Sequence, residues 1–300
     1  MKKDRVRHYV RIVRPKNSIM IGIAVIIGII LTDPKQILSI KTVYGFLTGF
    51  FISCYSMIVN DIYDIEVDRI NNMDRPLAKG EITVKSALAY SISLLFIGLA
   101  FAYFTSILNF IIAILFAFIS WLYNFSLKKH GIVGNMTVAV STIVPYLYGN
   151  IILSYNNMVG ENILSNPILL SPTVCWFSLV SFFAVTGREV IKTISDIEGD
   201  KIRGVKSMAI CWGKERAAKT GALFFILAVI CTLGPYIFRE MGTIYLLAVL
   251  FPDLLFIYLS YSILKDSSGE NALHVKRMAL NGMLIGFFSF AIEKLLVIGV

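Results

Sequence analysis

The sequence has few charged residues for its length. Asp, Glu, Lys and Arg make up 16% of its 300 residues, whereas a soluble domain carries about 25%. Hydrophobic residues make up 57% of the chain, and the mean hydropathy is +0.74. A soluble protein of this size could not bury so much apolar surface. The composition therefore excludes a soluble globular protein and indicates one membrane domain.

Cysteine and histidine are also scarce. The four cysteines are scattered along the chain without the CxxC spacing of zinc sites, and we expect small buried thiols rather than disulfides. The three histidines are equally isolated from one another. The sequence therefore indicates neither a disulfide-stabilised scaffold nor a metal centre built from histidine.

The chain instead contains long apolar runs. A helix that spans a bilayer needs about 20 mostly apolar residues, and backbone groups in lipid must be hydrogen-bonded within the segment. The nine candidate spans are 16–33, 42–60, 84–104, 107–126, 135–154, 172–190, 220–238, 242–264 and 276–298. The first run ends in Thr-Asp-Pro rather than in a small-residue cleavage site, so we interpret it as a span rather than a signal peptide. We expect an all-α membrane protein.

Basic residues are distributed unevenly between the two sides that nine spans define. Of the 28 Lys and Arg residues, 24 fall on the side of the N-terminus and four on the other. Such a bias marks the cytoplasmic side of a membrane protein, so we expect the N-terminus in the cytoplasm. The net charge of +9 then reflects topology and contact with membrane lipid, and it does not indicate a nucleic-acid partner.

Acidic residues form two clusters at the cytoplasmic ends of even-numbered spans. In NDIYDIEVD (60–68), Asp61, Asp64 and Asp68 have the spacing that places them on one face of a helix. In the second cluster, Asp196 and Asp200 lie four residues apart. Like charges so placed repel each other, and a hard cation such as Mg²⁺, which takes carboxylate and phosphate oxygens, offsets the repulsion. The pattern predicts a magnesium–diphosphate site.

Cations accompany both acidic clusters. Arg75 and Lys79 follow the first, Arg188 and Lys192 lie in the second, and Lys128 ends the fourth span on the same side. A diphosphate is bound by metal together with such donors. Each of these cations is equally explained as a loop charge that pairs with a nearby acid.

The two clusters resemble the motifs of a known family. NDIYDIEVD (60–68) resembles the NDxxDxxxD motif of the UbiA superfamily of intramembrane prenyltransferases, and KTISDIEGDKIRG (192–204) resembles its KDxxDxxGD motif. RPKNS (14–18) resembles the entry into the family's first helix, and WLYNFSLKKHGIVGN (121–135) resembles the end of its fourth. The resemblance covers nearly the whole chain. It implies one domain of nine helices around a central cavity, with repeated halves of roughly 1–130 and 131–300.

The resemblance also implies roles for individual residues. The ligands of two Mg²⁺ ions would be Asn60, Asp61, Asp64, Asp68, Asp196 and Asp200. The residues expected to bind substrate are Asn17, Asn60, Arg75, Lys79, Lys128, Arg188 and Lys192. Tyr123 is expected near the reacting carbon, and it joins the aspartates as a candidate catalytic residue. Thr193 stands where the family usually has Asp, which removes one carboxylate from the second motif.

The implied activity is transfer of a polyprenyl group from its diphosphate. Metal and cations would stabilise the departing diphosphate, and an apolar cavity would exclude water. The segments RPLAKGEIT (75–83) and SDIEGDKIRGVKSMAICWG (195–213) look most like the archaeal ether-lipid branch, which alkylates the hydroxyl of geranylgeranylglyceryl phosphate. An aromatic acceptor of a quinone or haem pathway is the alternative. The oligomeric state stays open.

Two other classes of membrane protein also use acidic residues. A cation transporter is expected to place them near the bilayer midplane, whereas both clusters here lie at the cytoplasmic rim, and Glu189 and Asp253 are the acids nearest to a span centre. A CDP-alcohol phosphotransferase would carry a DG-containing signature, which this sequence lacks. Prenyl transfer is therefore the predicted activity.

Overall fold

The described part of the chain is helical throughout. The computed structural model describes residues 2–70, 72–129, 131–154, 170–202 and 204–296. Within these ranges every regular element is a helix, and nine helices are long and apolar enough to cross a membrane. The predicted all-α membrane fold with nine spans is therefore confirmed. The cytoplasmic location of the N-terminus stays a prediction.

Fourteen α-helices follow one another in these ranges. The first seven are α1 (Lys2–Ile12), α2 (Pro15–Thr32), α3 (Ile40–Tyr63), α4 (Ile65–Ile70), α5 (Val84–Thr105), α6 (Ile107–Phe125) and α7 (Gly131–Ser154). The other seven are α8 (Pro172–Ser195), α9 (Ile197–Ile202), α10 (Met208–Trp212), α11 (Lys214–Thr232), α12 (Gly234–Ile237), α13 (Thr243–Lys265) and α14 (Gly269–Leu296). Short 3₁₀ turns at Pro34–Leu38 and Leu127–Lys129 precede α3 and α7.

The helices extend beyond the predicted apolar runs where charged residues begin. Helix α3 continues to Tyr63 instead of residue 60, α8 continues to Ser195 instead of residue 190, and α14 begins at Gly269 instead of residue 276. Backbone hydrogen bonds form within a helix whatever its side chains are. An apolar run therefore marks only part of each helix, and both acidic clusters begin inside their helices rather than beyond them.

Polar residues determine where several helices begin. The Ser39 and Thr83 side chains accept the backbone N–H of the third residue along, which caps α3 and α5. Ser106 ends α5 and also caps α6, because its extended backbone turns the chain and its hydroxyl accepts the Asn109 N–H. Each such cap contributes about 1 kcal/mol.

The contacts divide the chain into two compact units. The first comprises the described residues of Met1–Ile29, Gln36–Ser126 and Tyr148–Leu169, and α3 packs there against α5 and α6. The second comprises those of Ile30–Lys35, Leu127–Leu147 and Leu170–Val300, and α8 packs there against α11 and α14. Division into repeated halves at residue 130 stays a prediction.

Packing within the second unit relies on small residues. Its core places alanines of α8, α11 and α14, such as Ala184, Ala222 and Ala279, against larger side chains such as Phe225 and Leu259. Lipid is as apolar as the protein interior, so association in a membrane depends on close van der Waals contact rather than on the hydrophobic effect. Small side chains permit that contact.

The cysteines are free thiols, as predicted, but they are not uniformly buried. Cys54 is buried and Cys231 is partly buried, whereas Cys175 and Cys211 are exposed. The prediction of buried thiols is therefore wrong for the last two. Cys175 lies in membrane helix α8, where an apolar sequence context does not distinguish the packed face from the outer face. Cys211 lies in the short helix α10, outside the nine spans.

Glycine permits a close helix contact in the first unit. Helix α7 approaches α2 at Gly149, where an added Cβ would lie 2.2 Å from the Val25 carbonyl oxygen and 3.1 Å from Gly28 Cα. Both are backbone atoms, so they cannot move aside unless α2 itself shifts.

We predict that Gly149→Ala lowers the free energy of unfolding in detergent by about 1–3 kcal/mol, the usual cost of overpacking. Gly286→Ala is the control, because the nearest atom to its added Cβ, on Pro252, is 3.9 Å away. Thermal unfolding followed by circular dichroism measures both effects. Equal midpoints for the wild type and Gly149→Ala would contradict the close packing of α2 and α7.

Candidate active site

The first aspartate motif lies where α3 ends. Asn60 and Asp61 occupy the last turn of α3, Asp64 is its C-cap with φ −98° and ψ 5°, and Asp68 lies in α4. The Asp64 N–H donates to the Asn60 carbonyl at 3.0 Å, and the Asp68 N–H donates to the Asp64 carbonyl at 2.8 Å. The chain thus forms two helices rather than the one predicted, but the hydrogen-bond spacing of a helix is kept across the break.

The second motif repeats this backbone. Asp196 is the C-cap of α8 with φ −104° and ψ 10°, and the Asp200 N–H in α9 donates to the Asp196 carbonyl at 2.9 Å. After each motif the chain passes through a left-handed residue, Asn72 at φ 49° and Gly204 at φ 65°, and Asn and Gly tolerate this conformation best. The same local geometry therefore recurs 132 residues along the chain.

Asp61 is buried and paired with Arg14. Its side chain has 0% exposure, and its Oδ1 accepts a hydrogen bond from the Arg14 guanidinium. Its other oxygen, Oδ2, is buried with no hydrogen-bond partner among the described residues. A buried carboxylate is costly unless its oxygens are satisfied, so this oxygen is suited to a further ligand such as a metal ion.

Asn60 is oriented by residues of two other segments. Its Oδ1 lies 3.5 Å from Arg14 Nη2, and its Nδ2 donates to Asn124 Oδ1 at 2.7 Å. Asn124 lies in α6, where its own Nδ2 donates to the Ser120 carbonyl at 2.9 Å. The orientation of Asn60 is therefore set by the protein itself.

The two cations that follow the first motif have different surroundings. Lys79 Nζ lies 2.6 Å from Asp74 Oδ1, which Arg11 also approaches at 2.7 Å. Hydrogen bonds from Lys79 and Arg11 lower the pKa of Asp74. Arg75 is half-buried and lies within electrostatic reach of Asp61. Of the two predicted diphosphate-binding residues, Arg75 is therefore associated with the motif, and Lys79 belongs to a surface ion-pair network.

A buried glutamate holds the cations of the second motif. Glu189 is 5% exposed, and its two oxygens accept from Arg188 and from Lys192, the latter at 2.8 Å. The sequence marks this residue only as an acid within a span. The pairing explains how a carboxylate is accommodated there, because a buried charge requires a partner. Arg188 and Lys192, both predicted to bind substrate, therefore pair with the same buried carboxylate.

Asp196 pairs with a cation that the sequence pattern does not single out. Lys276 Nζ, in α14, lies 3.0 Å from Asp196 Oδ1 and 3.0 Å from Ser195 Oγ. Burial acts to raise the pKa of Asp196, but the Ser195 and Lys276 hydrogen bonds and the charges of Lys276 and Lys192 outweigh it and lower that pKa. Asp196 is therefore ionised at neutral pH, as a metal ligand must be.

Thr193 has a structural role. It stands where the family that the motif resembles usually has an aspartate. Its hydroxyl lies 2.7 Å from the Val190 carbonyl, to which it donates, and it accepts the Ala209 N–H at 3.3 Å. It is 6% exposed. Thr193 therefore ties α8 to α10, and Asp196 and Asp200 remain as the carboxylates of the predicted helix face.

Three more predicted residues lie in separate segments. Asn17 is exposed in the first turn of α2, and it is Arg14, three residues earlier, that contacts Asn60 and Asp61. Tyr123 is partly buried in α6 beside Asn124. Lys128 is partly buried in the 3₁₀ turn Leu127–Lys129.

Four residues that contact the two motifs were absent from the predicted site. They are Arg14, Asn124, Glu189 and Lys276. The first two lie in segments that resemble the family, RPKNS and WLYNF, so a signal for them exists in the sequence. Glu189 adjoins Arg188 inside an apolar helix, which is a weaker signal. No signal in the sequence marks Lys276, because only the packing of α14 against α8 brings it to Asp196.

The motifs fit magnesium that is shared with a phosphate. Within the described ranges, no three His, Cys, Asp or Glu side chains form a metal-binding group. Mg²⁺, however, is commonly held by one or two carboxylates together with waters and substrate phosphates. The unpartnered Oδ2 of Asp61 and the ionised carboxylate of Asp196 match that requirement.

The fold and the motifs define a class, a multi-pass membrane protein with two carboxylate-bearing helix ends suited to magnesium and an anionic substrate. Residues 21–290 match the UbiA prenyltransferase family. The chain therefore belongs to this family. The match confirms the family resemblance and, with it, the prenyltransferase class predicted from the motifs.

Known proteins similar to this chain cover almost its full length. The digeranylgeranylglyceryl phosphate synthase of Methanocaldococcus jannaschii is 34% identical over 97% of this chain and 98% of its own. A solved structure from work on digeranylgeranylglyceryl phosphate synthase in membranes has a TM-score of 0.81 at 32% identity, with 97% and 99% covered. A UbiA homologue from Archaeoglobus fulgidus bound to DMAPP and Mg²⁺ has a TM-score of 0.64 at 21% identity, with 95% and 99% covered. The last likeness shows the fold alone.

We predict that Arg14→Ala lowers the free energy of unfolding by about 3–5 kcal/mol, because it leaves a buried carboxylate without its partner. Adding Asp61→Asn should restore most of the loss, since the amide carries no charge. Thermal unfolding in detergent without added metal measures both.

Arg11→Ala is the matched control for this experiment. Arg11 is an arginine of the same segment whose partners Asp74 and Glu81 are 71% and 24% exposed, so solvent screens its ion pairs and its removal should cost clearly less than the removal of Arg14. Equal losses for Arg14→Ala and Arg11→Ala would contradict the role of the buried pair.

Proposed function

We propose that this chain is a Mg²⁺-dependent enzyme that transfers a geranylgeranyl group from its diphosphate to the hydroxyl of geranylgeranylglyceryl phosphate. The observation that carries this proposal is the full-length similarity, at 34% identity, to a digeranylgeranylglyceryl phosphate synthase, in a chain with both aspartate motifs. The structural relative at 32% identity supports the same activity. The reaction belongs to ether-phospholipid biosynthesis.

We assign the ligands of two magnesium ions to the two motifs. The ligands are Asn60, Asp61, Asp64, Asp68, Asp196 and Asp200. When bound, magnesium supplies positive charge that stabilises the departing diphosphate. The unpartnered oxygen of Asp61 and the ionised Asp196 support this assignment. The A. fulgidus homologue solved with DMAPP and Mg²⁺ supports magnesium as the metal.

We assign the contacts with the diphosphate oxygens to basic residues in and near the two motifs and to Asn17. The principal candidates are Arg75, Lys128, Arg188 and Lys192. The other two are Lys79, four residues after Arg75, and Asn17, three residues after Arg14. Glu189 already orders Arg188 and Lys192. Ordered side chains lose less conformational entropy when they bind a ligand, so this pair is prepared for an anion.

The proposed reaction exchanges one carbon–oxygen bond for another. The bond between the allylic carbon and the diphosphate breaks, and its electron pair leaves with the diphosphate. The acceptor hydroxyl oxygen bonds to that carbon and its proton is released. The basic residues neutralise the leaving group, Tyr123 lies near the reacting carbon, and the apolar helices exclude water that would capture the carbon.

Purified protein supplied with geranylgeranyl diphosphate, geranylgeranylglyceryl phosphate and Mg²⁺ should release diphosphate, and a chelator should stop the release. We predict that Asp64→Asn and Asp196→Asn each lower kcat/KM by about 100-fold or more, the scale for loss of one group that stabilises charge. Glu66→Gln and Glu198→Gln are matched controls, because these acids are exposed beside each motif.

The same assay discriminates the alternatives. Turnover that persists with a chelator, or in both aspartate variants, would overturn the metal assignment. Release with a hydroxybenzoate acceptor but not with the glyceryl phosphate would replace the proposed acceptor by an aromatic ring. No release with either acceptor would overturn the enzyme proposal itself.

We also propose that both motifs face the cytoplasm in the cell membrane, on the evidence of the cation distribution. Cys211 is exposed, and in a variant that keeps it as the single cysteine it should react with a membrane-impermeant maleimide only after cells are opened. In a cysteine-free background, the thiol introduced by Gln36→Cys should react in intact cells. The reverse pattern would contradict the orientation.

A further inference from the structure

Lys276 is a cation packed into a helix interface. Its helix α14 packs against α8, and its neighbours Val275 and Ala279 are fully buried. The Lys276 side chain is 18% exposed, and its ammonium lies 3.0 Å from Asp196 Oδ1. A surface lysine that pairs by chance would be far more exposed and would remain mobile.

Hydrogen bonds fix Lys276 at both its backbone carbonyl and its ammonium group. The Arg188 Nε donates to the Lys276 carbonyl at 3.3 Å, and Arg188 is itself paired with buried Glu189. The ammonium contacts Ser195 Oγ at 3.0 Å as well as Asp196. Lys276 is therefore held at the second motif by α8 residues on either side of it.

A lysine in this position competes with magnesium. Both are cations, and a Mg²⁺ ion bound to Asp196 would lie within a few ångströms of the ammonium and would be repelled by it. A phosphate oxygen placed between the two cations attracts both, because ammonium and Mg²⁺ each bind phosphate. The repulsion is therefore strong for metal alone and is relieved when metal arrives with diphosphate.

We propose that Lys276 makes magnesium binding at the second motif depend on diphosphate. Without diphosphate, the ammonium neutralises Asp196 and opposes the metal. With diphosphate, the ammonium moves to a phosphate oxygen and Asp196 becomes available to Mg²⁺. This inference rests on the proposed function, because it takes Asp196 as a magnesium ligand and a diphosphate as the substrate.

Magnesium binding without substrate tests the proposal. The full-length protein in detergent is titrated with Mg²⁺ alone, with inorganic diphosphate alone, and with both, and binding is followed by calorimetry and by the thermal midpoint. The variants are Lys276→Met, which removes the charge, and Lys276→Arg, which keeps it. Lys201→Met is the matched control, because Lys201 is a 58% exposed lysine of α9 that pairs with exposed Glu198.

Lys276→Met should bind Mg²⁺ alone at least about tenfold more tightly than the wild type, since a repelling charge is lost. The same variant should show a KM for geranylgeranyl diphosphate raised by about tenfold, because one phosphate contact is lost. Lys276→Arg and Lys201→Met should both resemble the wild type in Mg²⁺ binding. If Lys276→Met does not fold, Lys276→Gln tests the same expectation.

If the Lys276–Asp196 pair were only a structural salt bridge, the Lys276→Met variant would behave differently. If Lys276→Met lowers the thermal midpoint but binds Mg²⁺ alone no more tightly, the proposal is overturned. Absence of turnover by the wild type with either acceptor would instead overturn the proposed function. The two failures are distinguishable, because Mg²⁺ binding is measured without a prenyl substrate or an acceptor.

Discussion

Carboxylates at the ends of α3 and α8 require positive charge beside them. Asp61 and Glu189 are buried within membrane-spanning helices, where an unpaired charge is costly. Each is therefore bonded to an arginine, Asp61 to Arg14 and Glu189 to Arg188. This neutralisation determines which cations gather at each motif, and it assembles basic side chains where an anionic substrate would need them.

The two motifs share one backbone geometry, but their side chains have different partners. Both form a helix end, a capping aspartate and a short helix that closes in a left-handed residue. In the first, the buried acid belongs to the motif, and Asn124 orients its neighbour Asn60. In the second, the corresponding position is Thr193, which holds α10, and the buried acid lies one turn earlier at Glu189. A repeated local geometry thus accommodates two distinct charge arrangements.

The helices and the motif residues were predictable because both depend on local patterns. Apolar runs gave nine spans, and aspartate spacing gave the carboxylates that the backbone keeps in register. The helix ends were less predictable, because a helix continues through charged residues as long as its hydrogen bonds are made. The paired cations were least predictable. Lys79 sits in a surface network, whereas Arg14 and Lys276, which the pattern did not select, lie on the motif aspartates.

The sequence by itself determined the membrane class, the spans, the family and the two acidic motifs, since composition and short-range spacing carry that information. Only the tertiary structure decided which cation lies on which carboxylate. Arg14 and Asp61 are 47 residues apart, and Lys276 and Asp196 are 80 apart. Contacts at such separations arise from the packing of whole helices, and no local pattern encodes them.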